Sequence, residues 1–102
     1  METIYISGPI KDIYNAKELF YSAQSKLTNE GYKVINPFEI INDNGTFVSG
    51  SNKELYEFYL RMDIRELTFC DSIYILKGWE KSNGANIELN VAKAIGLKIY
   101  YE

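Results

Sequence analysis

Apolar and polar positions follow two alternating rhythms along this chain. Thr3–Ser7 is a short β-rich run that Gly8-Pro9 ends. Ala16, Leu19, Phe20, Ala23 and Leu27 then recur at helical spacing. They follow a capping-box pattern at Asn15-Ala-Lys-Glu18 and precede a stop at Gly31. Tyr32–Ile35 reads as a second strand, ended by Asn36-Pro37. Residues 38–50 are polar, carry Gly45 and Gly50, and are expected to form an irregular loop of the kind that binds or covers a ligand. Ser51-Asn-Lys-Glu54 repeats the capping-box spacing and opens a helix running to about Phe69, with Leu55, Tyr59, Met62 and Leu67 facing inward. Ser72–Leu76 is a third strand and Lys77–Gly84 a loop. Ala85–Ile95 is a third helix ended by Gly96, and Leu97–Tyr101 is the last strand.

Strand and helix in strict alternation at this spacing predict right-handed crossovers and a parallel sheet. The expected fold is α/β, a flavodoxin/Rossmann-like three-layer sandwich with a parallel sheet of four to five strands in the order 2-1-3-4. Residues 1–102 are expected to form one domain. Sheets of this kind bind ligands beyond the C-terminal ends of their strands, where the strand order reverses. That rule puts the crevice between the loops Gly8–Lys11 and Lys77–Gly84.

Composition narrows the chemistry. The chain is 46% hydrophobic and holds nine Tyr and five Phe, enough to fill a core and too much for a disordered chain. A net charge of −3 argues against a broad electrostatic grip on nucleic acid or an anionic membrane. No apolar run approaches the length of a membrane span, and Met1-Glu2-Thr3 leads straight into a strand rather than a signal peptide. With Cys70 as its one cysteine, the chain is expected in the cytoplasm. It has no histidine, which excludes His-based triads and His-ligated metals, so acid–base chemistry falls to Asp, Glu, Lys or Tyr. Neither a metal nor any other cofactor is expected.

Glu88 stands out because its helical neighbours Val91, Ala92 and Ile95 are apolar, and a charge on such a face usually has a partner or a task. The helix N-terminus favours its ionised form while burial opposes it, a balance that suits a nucleophile. The alternative is a Glu88 that caps its helix or turns outward at the edge of the face. Asp63, one turn after Tyr59, reads by itself as a solvated helix residue. Asp71 opens the third strand and is expected to satisfy backbone donors there. The loop before the last helix, Ser82-Asn83-Gly84-Ala85, offers backbone N–H groups to an anion. Lys77, Lys81 and Lys11 would ring it with positive charge, although solvated lysines are the simpler reading. Trp79 would stack on a base, seal the crevice or meet another subunit. Tyr5 would point into the site or pack in the core.

Taken in order, these residues resemble the nucleoside 2-deoxyribosyltransferase-like superfamily. The resemblance rests on Ile4-Tyr-Ile-Ser-Gly-Pro9, Asn36-Pro37, Asp63-x7-Asp71, and Ser82-x-Gly-x3-Glu88 followed by Ala92 and Gly96. The Gly-Trp-Glu-x-Ser-x-Gly-Ala run is similar to a short bacterial and phage branch that resembles nucleoside 5′-monophosphate N-glycosidases. The resemblance implies that Glu88 attacks C1′ of the sugar and that Asp63 assists proton transfer to the leaving base or orients the nucleophile. It also implies that Gly8 and the loop after it, Pro9, Ile10 and Lys11, line the nucleotide pocket and that Ser82 meets the substrate; Tyr5, Trp79 and Gly84 complete the expected substrate-binding set. Ser82 stands where the transferases carry an acid for the 5′-hydroxyl and the monophosphate branch a phosphate-binding serine.

The resulting expectation is cleavage of the N-glycosidic bond of a (deoxy)nucleoside 5′-monophosphate, with release of free base and sugar 5-phosphate. A deoxyribosyltransferase moving deoxyribose between bases is one alternative, and a non-catalytic nucleotide sensor or sponge is the other. The expected partners are a small-molecule nucleotide or nucleoside and further copies of the chain as a homodimer or higher homo-oligomer. No nucleic acid polymer and no membrane are expected.

Overall fold

The computed structural model describes residues 1–44 and 52–102. Four strands, β1 (Thr3–Ser7), β2 (Lys33–Ile35), β3 (Ser72–Ile75) and β4 (Lys98–Tyr101), pair in parallel in the order β2-β1-β3-β4. The helices are α1 (Ala16–Asn29), α2 (Pro37–Asn44), α3 (Asn52–Leu67) and α4 (Asn83–Ala94), with a 3₁₀ turn at Trp79–Lys81 ahead of α4. The expected α/β sandwich and its strand order are therefore observed, with four strands among the described residues.

The two-residue period of a strand divides the core. Ile4 and Ile6 of β1, with Tyr74 and Leu76, face α1 through Phe20, Ala23 and Leu27. Tyr5 of β1, with Ile73 and Ile75 of β3, faces the other layer through Leu67, Leu89 and Ala92 of α3 and α4. The chain thus leaves β1 for one face and β3 for the other, so the reversal of strand order falls between these two neighbours.

Three expectations need correction. Residues 38–44 are not loop but belong to α2. Asn36, 1% exposed, accepts the Phe38 N–H on its side-chain oxygen at 3.0 Å, and Pro37 occupies the first helical position, where its missing N–H costs nothing. Phe38 then packs edge-on against Phe20, and Ile40 enters the core on the α3–α4 face. Two apolar anchors two residues apart outweighed the polar look of the segment. The rest of the expected loop, residues 45–50, and the cap at Ser51 lie outside the described residues. Asn15 occupies the N-cap of α1 without a side-chain bond, so the expected capping box is not formed there. Leu19 is exposed, which leaves Ala16, Phe20, Ala23 and Leu27 as the buried stripe. Among the described residues no helix is long and apolar enough to cross a membrane.

Candidate active site

β1 builds the floor of the site. Tyr5 and Ser7, two residues apart, point to the same side of the sheet, where α4 lays Glu88 across them. The Tyr5 hydroxyl donates to Glu88 Oε2 at 2.7 Å, and the Ser7 hydroxyl donates to Oε1 at 2.6 Å. All three side chains are buried, and Glu88 retains 6% exposure. Glu88 lies in the second turn of α4, between the buried Ala85, Leu89 and Ala92, so the carboxylate sits on the apolar face rather than at its edge. The alternative of an outward-turned or capping Glu88 is thereby excluded. Ile95, one of the apolar neighbours expected beside it, is exposed.

Burial raises the Glu88 pKa, while the bonds from Ser7 and Tyr5 oppose the rise. Burial also lifts the Tyr5 phenol well above its ordinary value, and the negative charge of Glu88 adds to this. Tyr5 therefore remains a donor at any physiological pH. Asp63, half-buried on α3, is pushed up to about 8, first by desolvation and then by the charge of Glu88. Two carboxyl groups thus share one region of the molecule, and burial raises the pKa of both. Neighbouring carboxyls shifted in this way are candidates for acid–base work. Among the described residues no three His, Cys, Asp or Glu side chains gather where they could hold a metal ion.

The loops around this pair do less than the sequence suggested for some residues and more for others. Gly8 is buried against β3: a Cβ there would lie 2.8 Å from Leu76 Cβ, so only glycine lets the loop pass. Pro9 approaches Gly78, which takes a left-handed conformation (φ +89°), so the loops after β1 and β3 meet at these residues. Ile10 and Lys11 are exposed, within a turn in which the Ile13 N–H bonds to the Ile10 carbonyl at 3.2 Å. Lys77 and Lys81 are exposed too. Trp79 packs against the core, with its ring 5.9 Å from that of Tyr101. Ser82 caps α4, its hydroxyl oxygen accepting the Ala85 N–H at 3.2 Å. Gly84 lies under the Tyr56 hydroxyl, to which Asn83 donates at 3.1 Å.

Asp71 stands away from the site, at the opposite end of the strands. It accepts the Thr3 N–H at 2.9 Å, the structural role expected of it. Cys70 is buried in the core.

Two participants escaped the sequence reading. Ser7 was visible only as the end of a strand, although the period that aims Tyr5 at α4 aims Ser7 there as well. Asn86 donates its amide to the carbonyls of Trp79, Glu80 and Ser82 at 2.8–3.2 Å, which pins the loop between β3 and α4. Nothing in the local pattern marks it.

Comparison with known proteins follows from this geometry. A solved structure of the 2-deoxyribosyltransferase from Bacillus psychrosaccharolyticus, described as a biocatalyst for the synthesis of antiviral and antitumoral nucleosides, matches with a TM-score of 0.75 at 20% identity. The match covers 97% of this chain and 70% of that one. It bears out, at the level of fold, the resemblance to the nucleoside 2-deoxyribosyltransferase-like superfamily. It also corrects the expected activity. The structural relative is a transferase put to nucleoside synthesis, not an enzyme that hydrolyses nucleoside monophosphates. Ser82, on which the phosphate reading rested, uses its oxygen to cap a helix. No curated protein matches the chain in sequence. A family described as a domain of unknown function, DUF4406, matches residues 2–101, and the chain belongs to that family.

Proposed function

We propose that the chain is a nucleoside deoxyribosyltransferase, an enzyme that moves a 2-deoxyribosyl group from one base to another. The observation that carries this reading is Glu88, a buried carboxylate with a donor on each oxygen, beside an Asp63 that holds its proton to about pH 8. The likeness in fold to a 2-deoxyribosyltransferase supports it.

In this mechanism a Glu88 oxygen attacks C1′ from the face opposite the base. The C1′–N bond breaks through an oxocarbenium-like state, its electron pair leaves with the base, and Asp63 supplies the proton that neutralises the base. The sugar is then held as an ester on Glu88. A nitrogen of a second base attacks C1′ and Glu88 departs as a carboxylate. The proton lost by the incoming base returns to Asp63. Both half-reactions use the same two carboxyl groups with their roles reversed, and neither requires a histidine. The crevice between Gly8–Lys11 and Lys77–Gly84 is the proposed place for the nucleoside, with Tyr5, Gly8, Pro9 and Gly84 nearest the reacting groups. The protein is further proposed to work as a single domain, in the cytoplasm, and as a homodimer or larger homo-oligomer.

The test is base exchange. The protein is incubated with a 2′-deoxynucleoside and a panel of free purines and pyrimidines, and the products are separated by chromatography. A new deoxynucleoside from the wild type and none from Glu88→Gln is the expected result. Absence of any new nucleoside across the panel, or exchange that survives in Glu88→Gln, overturns the reading.

A further inference from the structure

We propose that Ser7 is the residue that fixes the plane of the Glu88 carboxylate and keeps it ionised in its buried setting. The inference rests on the transferase reading for its catalytic consequence, but its physical content does not depend on turnover. A glutamate carboxylate turns readily about its terminal bond, because that torsion has broad, roughly two-fold preferences. A single donor on one oxygen leaves much of that rotation available. Here the two donors come from one strand, Tyr5 to Oε2 and Ser7 to Oε1, so the carboxylate is held at both ends by a single rigid element.

Ser7 is the stiffer of the two holds. It has one side-chain torsion and is 1% exposed. Its bond to Glu88, at 2.6 Å, is in the short range of hydroxyl–carboxylate bonds. It is also the last residue of β1, next to Gly8, which is buried so close to Leu76 that a Cβ there would lie 2.8 Å from the Leu76 Cβ. No buried side-chain polar atom lacks a partner among the described residues. Removing the Ser7 hydroxyl would therefore leave Oε1 without its donor, in a place where water is scarce. Among the described residues, the groups that bear on Glu88 are Tyr5 and Ser7 from β1 and the Asp63 carboxyl from α3. None is cationic, so hydrogen bonds rather than an ion pair must hold the charge. Ser7 is thus a positioning residue acting through Glu88, and its loss would lower kcat more than it raises KM.

The test reads Glu88 directly. Protein with ¹³C-labelled glutamate side chains is titrated by NMR, and the Glu88 signal is assigned by its loss in Glu88→Gln. In Ser7→Ala the Glu88 midpoint is expected to rise by about one pH unit, the loss of one hydrogen bond to a charged group. Ser7→Thr, which keeps the hydroxyl, is expected to restore most of the wild-type midpoint. In base exchange, kcat should fall at least tenfold in Ser7→Ala with KM within about threefold, and the acidic limb of its pH profile should move with the NMR midpoint. A Glu88 midpoint equal in Ser7→Ala and wild type overturns the inference whether or not the enzyme turns over. If Ser7→Ala does not fold, the wild type still decides. A slowly exchanging Ser7 hydroxyl proton that disappears as Glu88 is protonated supports the inference, and a freely exchanging one overturns it.

Discussion

The charge state of Asp63 is the feature of the site most open to a thermodynamic test. Its carboxyl is pushed from 3.8 up to about 8, by desolvation first and by Glu88 second. A carboxyl whose folded pKa is raised binds more protons in the native state than in the unfolded one between those two values. The stability of the protein therefore falls as pH rises from about 4 to about 8, and the cost is complete above the folded value. At about 1.4 kcal/mol per pH unit, such a shift would cost on the order of 6 kcal/mol at a site sealed from water. Asp63 is only half-buried, so water screening reduces the cost to roughly 2–4 kcal/mol. Replacing Asp63 with Asn removes the titration and keeps the shape. The assay is urea unfolding of both proteins at pH 5 and pH 9. Asp63→Asn should exceed the wild type's stability by only about 1.5 kcal/mol at pH 5, where just the unfolded Asp63 is ionised, and by about 2–4 kcal/mol at pH 9. Comparing the two proteins at each pH cancels the titration of distant groups. A stability difference that is the same at both pH values would refute the reasoning, because Asp63 would then be ionised throughout.

Other outcomes follow from single contacts. Tyr5→Phe removes the donor to Glu88 Oε2; kcat for base exchange should fall roughly 10- to 100-fold, with a Glu88 midpoint raised in the NMR titration. Gly8→Ala drives a Cβ to 2.8 Å from Leu76 Cβ, and urea unfolding should show a loss of about 1–3 kcal/mol. Ser82→Ala removes the α4 cap and should cost about 1 kcal/mol in the same assay, with less than a threefold change in kcat. Asn86→Ala frees three loop carbonyls and should raise KM severalfold while the Glu88 midpoint stays in place.

The sheet was legible in the sequence because a strand buried on both faces leaves a short apolar run between turn residues, as Ile4–Ile6 and Ile73–Leu76 do. Given that sheet, the reversal of strand order pointed to the end of β1, where Ser7 meets Glu88. The apolar neighbours of Glu88 marked it as a buried charge. Its partners were harder to see. A tyrosine or serine in a strand is ordinary, and only the pairing of β1 beneath α4 makes Tyr5 and Ser7 donors to one carboxylate. Asp63 looked like a solvated helix residue because its desolvation comes from burial in the folded chain, which periodicity does not register. Helix α2 was misread as loop because its apolar anchors, Phe38 and Ile40, are few and flank polar positions. The capping role of Ser82 was not separable in the sequence from an anion-binding one, because a serine before a helix serves both; the structure shows its oxygen accepting the Ala85 N–H.

The central claim is that Glu88 carries the sugar between two bases. Acid quenching during turnover of a 2′-deoxynucleoside without acceptor, followed by protease digestion and mass spectrometry, tests it most directly. The account predicts one deoxyribosyl group on the peptide that contains Glu88, absent from Glu88→Gln and lost when an acceptor base is added before the quench. A sugar attached to a different residue, or base exchange that continues in Glu88→Gln, would contradict it.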